Sequence, residues 1–437
     1  MSDDTVYQRT IDYLYSFVDY SMQRNFRNAP GKFDLARMQS LVDALGNPER
    51  CYPVIHVAGT KGKGSVSALC ASALQAAGLC TGLYTSPHLY DFSERMQMDG
   101  APISHEDLVS LVNEMKPVIA VTPEVTWFEI TTALAFLFFA RKHVDAAVIE
   151  VGLGGRLDAT NVVHPQVTVI TSLSYDHMAL LGDTLAKIAA EKAGIIKPAV
   201  PVILAPQKDE ARQVIAKIAE ERGSPLIQIG QDFGFSSLSH TLDGQDLMVW
   251  KTGEAPVTLH IPLLGAHQVE NAATAYTAMQ SANEMGIPVS VDAILRGFSR
   301  VFWPGRFEIL QRDPPMVVDS AHNRDSALRL RQAVDDYFPE RDLVLVFGAS
   351  EDKDIPGMLA ELLPRAQEVV FTQSIHPRAM SPDRLTEQAR PYGLKIHSAP
   401  SIETALEVAR QLVHPKNGLL LVTGSLFIAA GARKVWK

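Results

Sequence analysis

A glycine-rich loop with two lysines lies between an apolar run that predicts a β-strand and a pattern that predicts a helix. The apolar run covers residues 53–57, and the loop continues as Ala58-Gly59-Thr60-Lys61-Gly62-Lys63-Gly64-Ser65. Glycines let backbone N–H groups approach an anion closely, a lysine adds positive charge, and Ser65 can offer its hydroxyl to Mg²⁺. The loop therefore predicts an α/β fold with a phosphate-binding loop, and ATP is the nearest ligand.

The loop departs from the common G-x-x-x-x-G-K-[ST] pattern at two positions. That pattern would place a glycine at Val57 and a Ser or Thr at Gly64. A glycine-rich turn that only caps an ordinary helix is the alternative interpretation. The strand before the loop and the helix after it favour phosphate binding, because the mechanism needs both.

Length and composition narrow the class of protein. A chain of 437 residues exceeds one typical core and predicts two domains. With 46% hydrophobic and 20% charged residues, the composition is that of an ordinary globular enzyme. A net charge of −9 disfavours a surface for DNA or for an anionic membrane. We therefore expect small-molecule partners, with no nucleic acid and no membrane.

Cysteine usage and the apolar stretches predict a cytoplasmic protein. The three cysteines form no C-x-x-C pair, which disfavours a disulfide framework and a structural zinc site. The first four residues include two aspartates where a signal peptide would be basic, and the longest apolar stretch, residues 133–140, is too short to span a bilayer. We expect a reducing compartment and a monomer.

Apolar runs alternate with helical patterns in two series. The first series occupies residues 54–57, 147–151, 167–173 and 202–204, and the second occupies residues 316–318, 343–347, 368–371 and 419–422. Such alternation predicts an α/β fold, with a doubly wound, mostly parallel sheet over residues 1–301 and a smaller Rossmann-like domain over residues 302–437. The turn signal Pro304-Gly305 lies at the junction. Residues 233–261 predict antiparallel strands at an edge of the first domain.

Polar side chains follow two predicted strands of the first domain. Glu150 ends one apolar run, and His177 follows another. Because the carboxyl ends of parallel strands meet at one edge of a sheet, both should lie beside the phosphate loop. A carboxylate there is a candidate Mg²⁺ ligand. A hydrogen-bonded structural histidine is the alternative for His177, but its position after a sheet strand favours a functional role.

Lys192 lies on the apolar face of a predicted helix over residues 184–196. It shares that face with Leu185 and Ile188, whereas Lys187 and Glu191 point the other way. Burial favours the neutral amine, which can react with CO₂ to give a carbamate, a metal-seeking anion. A lysine that extends its ammonium to the surface is the alternative.

Taken together, these segments resemble the Mur ligase superfamily and, within it, the folylpolyglutamate synthases, including bifunctional bacterial forms that are also dihydrofolate synthases. The matching segments are residues 56–65, 85–89, 150–161, 176–177, 191–195, 267–275, 304–308, 319–323 and 424–425. One departure is Lys61, where the family usually carries Asn; it adds positive charge to the loop.

The resemblance implies ATP, two Mg²⁺ sites and three groups of site residues. The implied ATP contacts are Gly59, Thr60, Lys61, Gly62, Lys63, Gly64, Ser65, Asn271, Arg306 and Asp319. The implied Mg²⁺ ligands are Ser86 and Glu150 at one site and Glu150, His177 and carbamylated Lys192 at the other. The implied substrate contacts are Thr126, Trp127, Phe128, Glu129, Leu157, Asp158 and Ala159 around the pterin, with His322 and Ser425 on the glutamate side. Asp319 could instead cap a helix, and Asn271 could be a helix-end residue.

The resemblance implies a ligase that adds L-glutamate to a folate, or to dihydropteroate, through an acyl phosphate. Residues 24–28 lack the acidic-glycine pattern of the bifunctional bacterial enzymes, so folate use is implied more firmly than dihydropteroate use. A sister ligase acting on another carboxylate is one alternative, and a nucleotide-dependent switch or transport ATPase is another. The segment at residues 126–129 favours the folate branch, and the second domain disfavours the switch.

Overall fold

The computed structural model of the protein describes residues 3–18 and 34–436, so residues 24–28, which lack the acidic-glycine pattern, lie outside the described residues. The chain divides into two compact units. Unit 1 comprises Met1–Ser237, Leu247–Ile261 and Val269–Val301. Unit 2 comprises Leu238–Asp246, Pro262–Gln268 and Phe302–Lys437.

The main sheet of unit 1 has eight strands, and six of them are parallel. In chain order the strands are β1 (Val54–Ala58), β2 (Thr81–Tyr84), β3 (Met96–Met98), β4 (Ala101–Pro102), β5 (Ala146–Glu150), β6 (Val167–Ile170), β7 (Val202–Leu204) and β8 (Leu226–Gln228). Their order across the sheet is β4-β3-β2-β5-β1-β6-β7-β8, with β3 and β4 antiparallel at one edge. Every residue of β1 and β5 is buried, as expected of central strands covered on both faces.

Helices connect these strands and cover both faces of the sheet. They are α1 (Asp3–Tyr15), α2 (Leu35–Ala44), α3 (Lys63–Ala76), α4 (His105–Val121), α5 (Trp127–Arg141), α6 (Met178–Leu181), α7 (Leu185–Ala193), α8 (Asp209–Glu221), α9 (Ala266–Glu284) and α10 (Val291–Phe298). In the described part of the chain, no helix combines the length and apolarity needed to cross a bilayer.

The predicted antiparallel strands over residues 233–261 are present as β9 (Phe233–Thr241), β10 (Gly244–Lys251) and β11 (Val257–Ile261). They form a sheet of their own, and most of its residues group with unit 1. The tip, Leu238–Asp246, groups with unit 2 because its partners lie there. Asp243 forms an ion pair with Arg312, and the ring of His240 lies 4.7 Å from that of Tyr337.

Unit 2 contains a six-stranded sheet with helices on its faces. Its strands are β12 (Glu308–Arg312), β13 (Pro315–Val318), β14 (Asp342–Phe347), β15 (Ala366–Phe371), β16 (Lys395–Ser398) and β17 (Gly418–Thr423), in the order β12-β13-β17-β14-β15-β16. Its helices are α11 (Arg324–Tyr337), α12 (Ile355–Leu362), α13 (Pro382–Ala389), α14 (Ile402–Leu412) and α15 (Leu426–Trp436). Only β12 is antiparallel among these described strands, so the predicted α/β class is confirmed for both units.

The helix that begins at the glycine-rich loop is packed closely against α10. A Cβ atom at Gly297 would lie 2.5 Å from the Cα of Ala73 and 2.5 Å from the carbonyl oxygen of Ser72, both backbone atoms of α3. The Ser72 hydroxyl donates to the Gly297 carbonyl at 2.7 Å. The two helices can therefore cross at this separation only with glycine at position 297.

We expect Gly297→Ala to lower the free energy of unfolding of unit 1 by about 1–3 kcal/mol, because the added methyl forces α3 and α10 apart. Urea denaturation followed by circular dichroism measures the change. Asp292→Ala, at an exposed position on the same helix, is the control and should stay within about 0.5 kcal/mol of the parent. An unchanged unfolding midpoint in Gly297→Ala would contradict this packing.

Candidate active site

Two glycines of the loop between β1 and α3 have no room for a side chain. Gly59 has a φ of 151°, and a Cβ there would lie 1.8 Å from the hydroxyl oxygen of Thr171. Gly62 has a φ of 82°, and a Cβ there would lie 2.2 Å from the amide oxygen of Asn271. The two glycines therefore leave room for the side chains of Thr171 and Asn271, which lie directly against the loop backbone.

The amino terminus of α3 offers backbone donors to an anion. The first intrahelical bond runs from the Val66 N–H to the Gly62 carbonyl at 2.8 Å, so the N–H groups of Lys63, Gly64 and Ser65 precede the bonding ladder of the helix. The N–H groups of Thr60 and Lys61 both donate to the Ser172 carbonyl at 3.1 Å. The helix start, with its positive dipole end, is therefore suited to bind an anion.

Lys63, Glu150 and Ser86 come together beside this helix start. The Lys63 ammonium lies 3.9 Å from one carboxylate oxygen of Glu150, and the Ser86 N–H donates to the other at 3.2 Å. Glu150 ends β5, where it is in register with Val57 of β1, and it is only 4% exposed. A buried carboxylate next to a lysine and a phosphate-binding helix end suits a hard divalent cation that also contacts phosphate oxygens.

Lys192 is buried under the loop. Its side chain is only 4% exposed on the inner face of α7, so the predicted burial is confirmed and the surface-extended alternative is wrong. Its amine donates to the Gly59 carbonyl at 2.9 Å. Burial, reinforced by repulsion from Lys63, lowers the pKa of Lys192 to about 7. A substantial share of the side chain is therefore a neutral amine near neutral pH.

His177 lies beyond the end of β6 with an exposed side chain. It occupies a left-handed conformation, with a φ of 48°, just before α6, and its side chain is 42% exposed. Its Nε2 atom lies 3.8 Å from Asp176 Oδ1. Within residues 3–18 and 34–436, no three His, Cys, Asp or Glu side chains are arranged to hold a metal ion. The second Mg²⁺ site, with His177 as a ligand, stays a prediction.

The predicted pterin-side residues lie in two buried segments. Thr126 caps α5 and forms a capping box with Glu129. The ring of Trp127 stacks on Tyr15, and Phe128 packs against Gly152, where a Cβ would lie 2.3 Å from the Phe128 ring.

In the second segment, Asp158 accepts hydrogen bonds from the Leu153 N–H at 2.8 Å and the Thr160 hydroxyl at 2.6 Å, between half-buried Leu157 and buried Ala159. Burial raises the pKa of Asp158. Both segments flank Gly152, two residues after Glu150.

In unit 2, the predicted residues gather where β13 and the neighbouring β17 end. Asp319 follows β13 and accepts from the N–H groups of Phe307 and Ala321, each at 2.8 Å. Burial raises the pKa of Asp319, and the Arg306 guanidinium opposes that shift. His322 Nδ1 lies 2.9 Å from the Ser320 carbonyl oxygen, and Ser425 accepts from the Ile428 N–H in the first turn of α15.

Both structural alternatives for the predicted ATP contacts are wrong. Asn323, and not Asp319, caps α11, since its side chain accepts from the Ser326 N–H. Asn271 lies inside α9 rather than at its end.

Two residues of this region were missed in the sequence. Thr171 donates to the Lys61 carbonyl at 2.6 Å and packs against Gly59. It was missed because the predicted strand over residues 167–173 included it as an ordinary strand residue. The strand ends at Ile170, because the chain beyond it bonds to the phosphate loop. Arg37 pairs with Glu129, 92 residues away. The position after a strand end was a usable signal for Thr171, whereas no local signal marks Arg37.

We expect Gly62→Ala to weaken nucleotide binding at least about tenfold, because its methyl would displace Asn271 from the loop. Titration with ADP by calorimetry measures the affinity. Gly78→Ala is the matched control: Gly78 follows α3 with a similar φ of 86°, but a Cβ there would meet nothing within 4 Å. It should lose stability and keep its nucleotide affinity. Equal ADP affinity in both variants would contradict the expected clash between the added methyl and Asn271.

Two family models and a series of known proteins match this chain. Residues 57–279 match the Mur ligase middle domain, and residues 305–426 match the glutamate ligase domain of Mur ligases. A dihydrofolate synthase/folylpolyglutamate synthase of Bacillus subtilis (strain 168) is 36% identical over 440 residues, covering 98% of this chain and 99% of the relative.

Solved structures of related enzymes match over the same length. Mycobacterium tuberculosis folylpolyglutamate synthase complexed with ADP superposes with a TM-score of 0.89 at 33% identity, covering 100% of this chain and 99% of that one. An FPGS-AMPPCP-folate complex superposes with a TM-score of 0.83 at 31% identity, covering 98% of each chain. The chain therefore belongs to the Mur ligase superfamily and, within it, to the folylpolyglutamate synthase/dihydrofolate synthase family of ATP-dependent ligases.

Proposed function

We propose that this enzyme uses ATP to join L-glutamate to the carboxylate of a folate, and that dihydropteroate is its second acceptor. The observation that carries the proposal is a glycine-rich loop and helix start beside which Lys63 and Glu150 lie 3.9 Å apart, in a chain that matches such enzymes over 98% of its length. The Bacillus subtilis relative is named for both activities, and one related structure holds a nucleotide and folate together.

The reaction needs charge neutralisation and positioning rather than a protein nucleophile. The γ-phosphoryl group of ATP is transferred to the acceptor carboxylate, and the glutamate amine then attacks the acyl phosphate to give an amide, ADP and phosphate. Lys63 and the N–H groups at the start of α3 hold the phosphates and stabilise the charge on the transferred group. Gly59 and Gly62 leave room for Thr171 and Asn271, which pack against the loop that precedes these N–H groups.

We propose Ser86 and Glu150 as ligands of one Mg²⁺ and Glu150, His177 and a carbamate on Lys192 as ligands of a second. When bound, Mg²⁺ would neutralise the phosphate oxygens. The carbamate forms when the neutral Nζ attacks CO₂: an N–C bond forms and a proton leaves the nitrogen for solvent. The lowered pKa of Lys192 supports this step, since only the unprotonated amine has the lone pair it requires.

Incorporation of labelled glutamate tests the proposal directly. ATP, Mg²⁺ and labelled glutamate are supplied with dihydropteroate in one reaction and with a reduced folate in another. We expect labelled amide and ADP with both acceptors. If neither reaction yields labelled product, the proposed function is wrong. ATP hydrolysis without any acceptor would favour a nucleotide-dependent switch. Labelled product with the folate alone would show that dihydropteroate is not an acceptor.

We expect Lys63→Ala to lower kcat/KM about 10²–10³-fold, because the lysine meets charge that develops during phosphoryl transfer. Steady-state kinetics at saturating ATP measures the loss, and circular dichroism checks that the fold is kept. Lys217→Ala, at a solvent-exposed lysine of α8, is the control and should match the parent. Parent-like rates in Lys63→Ala would remove the phosphate-loop assignment.

We expect the Lys192 carbamate to be detected by carbon-13 NMR after equilibration with labelled CO₂, and its share to grow as pH rises through about 7, where the amine loses its proton. Lys192→Ala should lose most activity and regain part of it with a short-chain carboxylic acid. Lys187→Ala, on the exposed face of the same helix, should remain active and show no such rescue. An unlabelled Lys192 together with a fully active alanine variant would overturn the carbamate.

A further inference from the structure

Glu129 belongs to the predicted substrate-binding set, but its carboxylate is engaged within the protein. It is only 6% exposed. One oxygen accepts from the Thr126 N–H and hydroxyl, both at 2.8 Å, and from Arg37 Nε at 2.9 Å. The other accepts from Arg37 Nη2 at 2.9 Å and Nε at 3.0 Å. A carboxylate has about four lone-pair positions that can accept hydrogen bonds, and these donors occupy the positions that a ligand would need.

These hydrogen bonds fix the start of α5. Thr126 is held as the helix cap, because its hydroxyl donates to the Glu129 carboxylate and accepts from the Glu129 N–H at 3.2 Å. The next two residues, Trp127 and Phe128, are therefore fixed in direction. The Arg95 guanidinium lies 4.7 Å from the Trp127 ring centre, which further orients that ring.

Phe128 links this helix start to the phosphate site. Its ring packs so tightly on Gly152 that a Cβ there would lie 2.3 Å away. Gly152 is two residues beyond Glu150, whose carboxylate lies 3.9 Å from Lys63. A shift at the start of α5 would therefore move both the pterin-side residues and the segment that follows Glu150.

Arg37 supplies the opposite half of this clamp from a different helix. It is on α2, whose Met38, Leu41 and Val42 are buried in the same apolar core as α5. The Arg37 side chain is 13% exposed, and its fork binds both oxygens of Glu129. A planar guanidinium can do this, whereas a lysine ammonium cannot reproduce the fork.

We infer that Arg37 is a positioning residue for the folate side of the site. It acts through Glu129 on Trp127 and Phe128 and does not itself contact the substrate. Glu129 is then also a positioning residue rather than a ligand of the pterin. The inference rests on the proposed function, since it concerns how that site binds its folate.

The test compares KM for the folate with KM for ATP in single and double variants. We expect Arg37→Met and Glu129→Gln each to raise the folate KM about tenfold or more while the ATP KM stays within about twofold of the parent. The double variant should be no worse than the worse single variant, because both remove the same clamp. Arg37→Lys, which keeps the charge without the fork, should fall between the parent and Arg37→Met.

Leu41→Ala is the matched control, since it weakens the packing of α2 and leaves the ion pair in place. It should lower thermal stability without raising the folate KM. Equal rises in the ATP and folate KM values of Arg37→Met, or additive effects in the double variant, would overturn the inference. If Arg37→Met does not fold, a parent-like folate KM in Arg37→Lys would overturn it instead. A parent enzyme that ligates no glutamate would overturn the proposed function, which is a separate result.

Discussion

The close approach of Thr171 and Asn271 to the phosphate loop is the constraint on which the site depends. With Cβ positions at Gly59 and Gly62 only 1.8 and 2.2 Å from those side chains, the loop can adopt its path only as bare backbone. Asn271 comes from α9 and Thr171 from the end of β6, so two distant segments hold one loop in shape. The helix that follows then begins in a fixed direction, which sets where its N–H groups point.

Three ionisable side chains lie close to this loop. Lys63, Glu150 and Lys192 come from α3, β5 and α7, and Glu150 and Lys192 are each only 4% exposed. Charges removed from water interact more strongly than exposed ones, so the placement of Lys63 affects the ionisation of Lys192. Repulsion from Lys63 and burial together lower the pKa of Lys192, and the Gly59 carbonyl accepts its hydrogen bond. The electrostatics of this region is thus inseparable from the shape of the loop.

Much of the fold was predictable from the sequence, because central parallel strands are buried on both faces and appear as apolar runs. Strands β1, β5 and β7 follow such runs, and the helical spacing around Lys192 correctly indicated its burial. Long-range pairings were not predictable. The partner of Glu129 is 92 residues away on α2, and the tip of the β9–β10 hairpin bonds to residues of unit 2. The left-handed backbone of His177 and the exposure of its side chain were not predictable from the motif either.

Gly297 is an example of a residue that the packing of the fold requires, rather than the reaction. The backbone of Ser72 and Ala73 leaves no room for a side chain at this position. A descendant that acquired a new acceptor could exchange the residues of its pocket, but it would still need a residue without a Cβ at this helix crossing. The glycine is therefore required by the fold, whereas the pocket residues are required by the reaction. The two sets of residues can change at different rates during evolution.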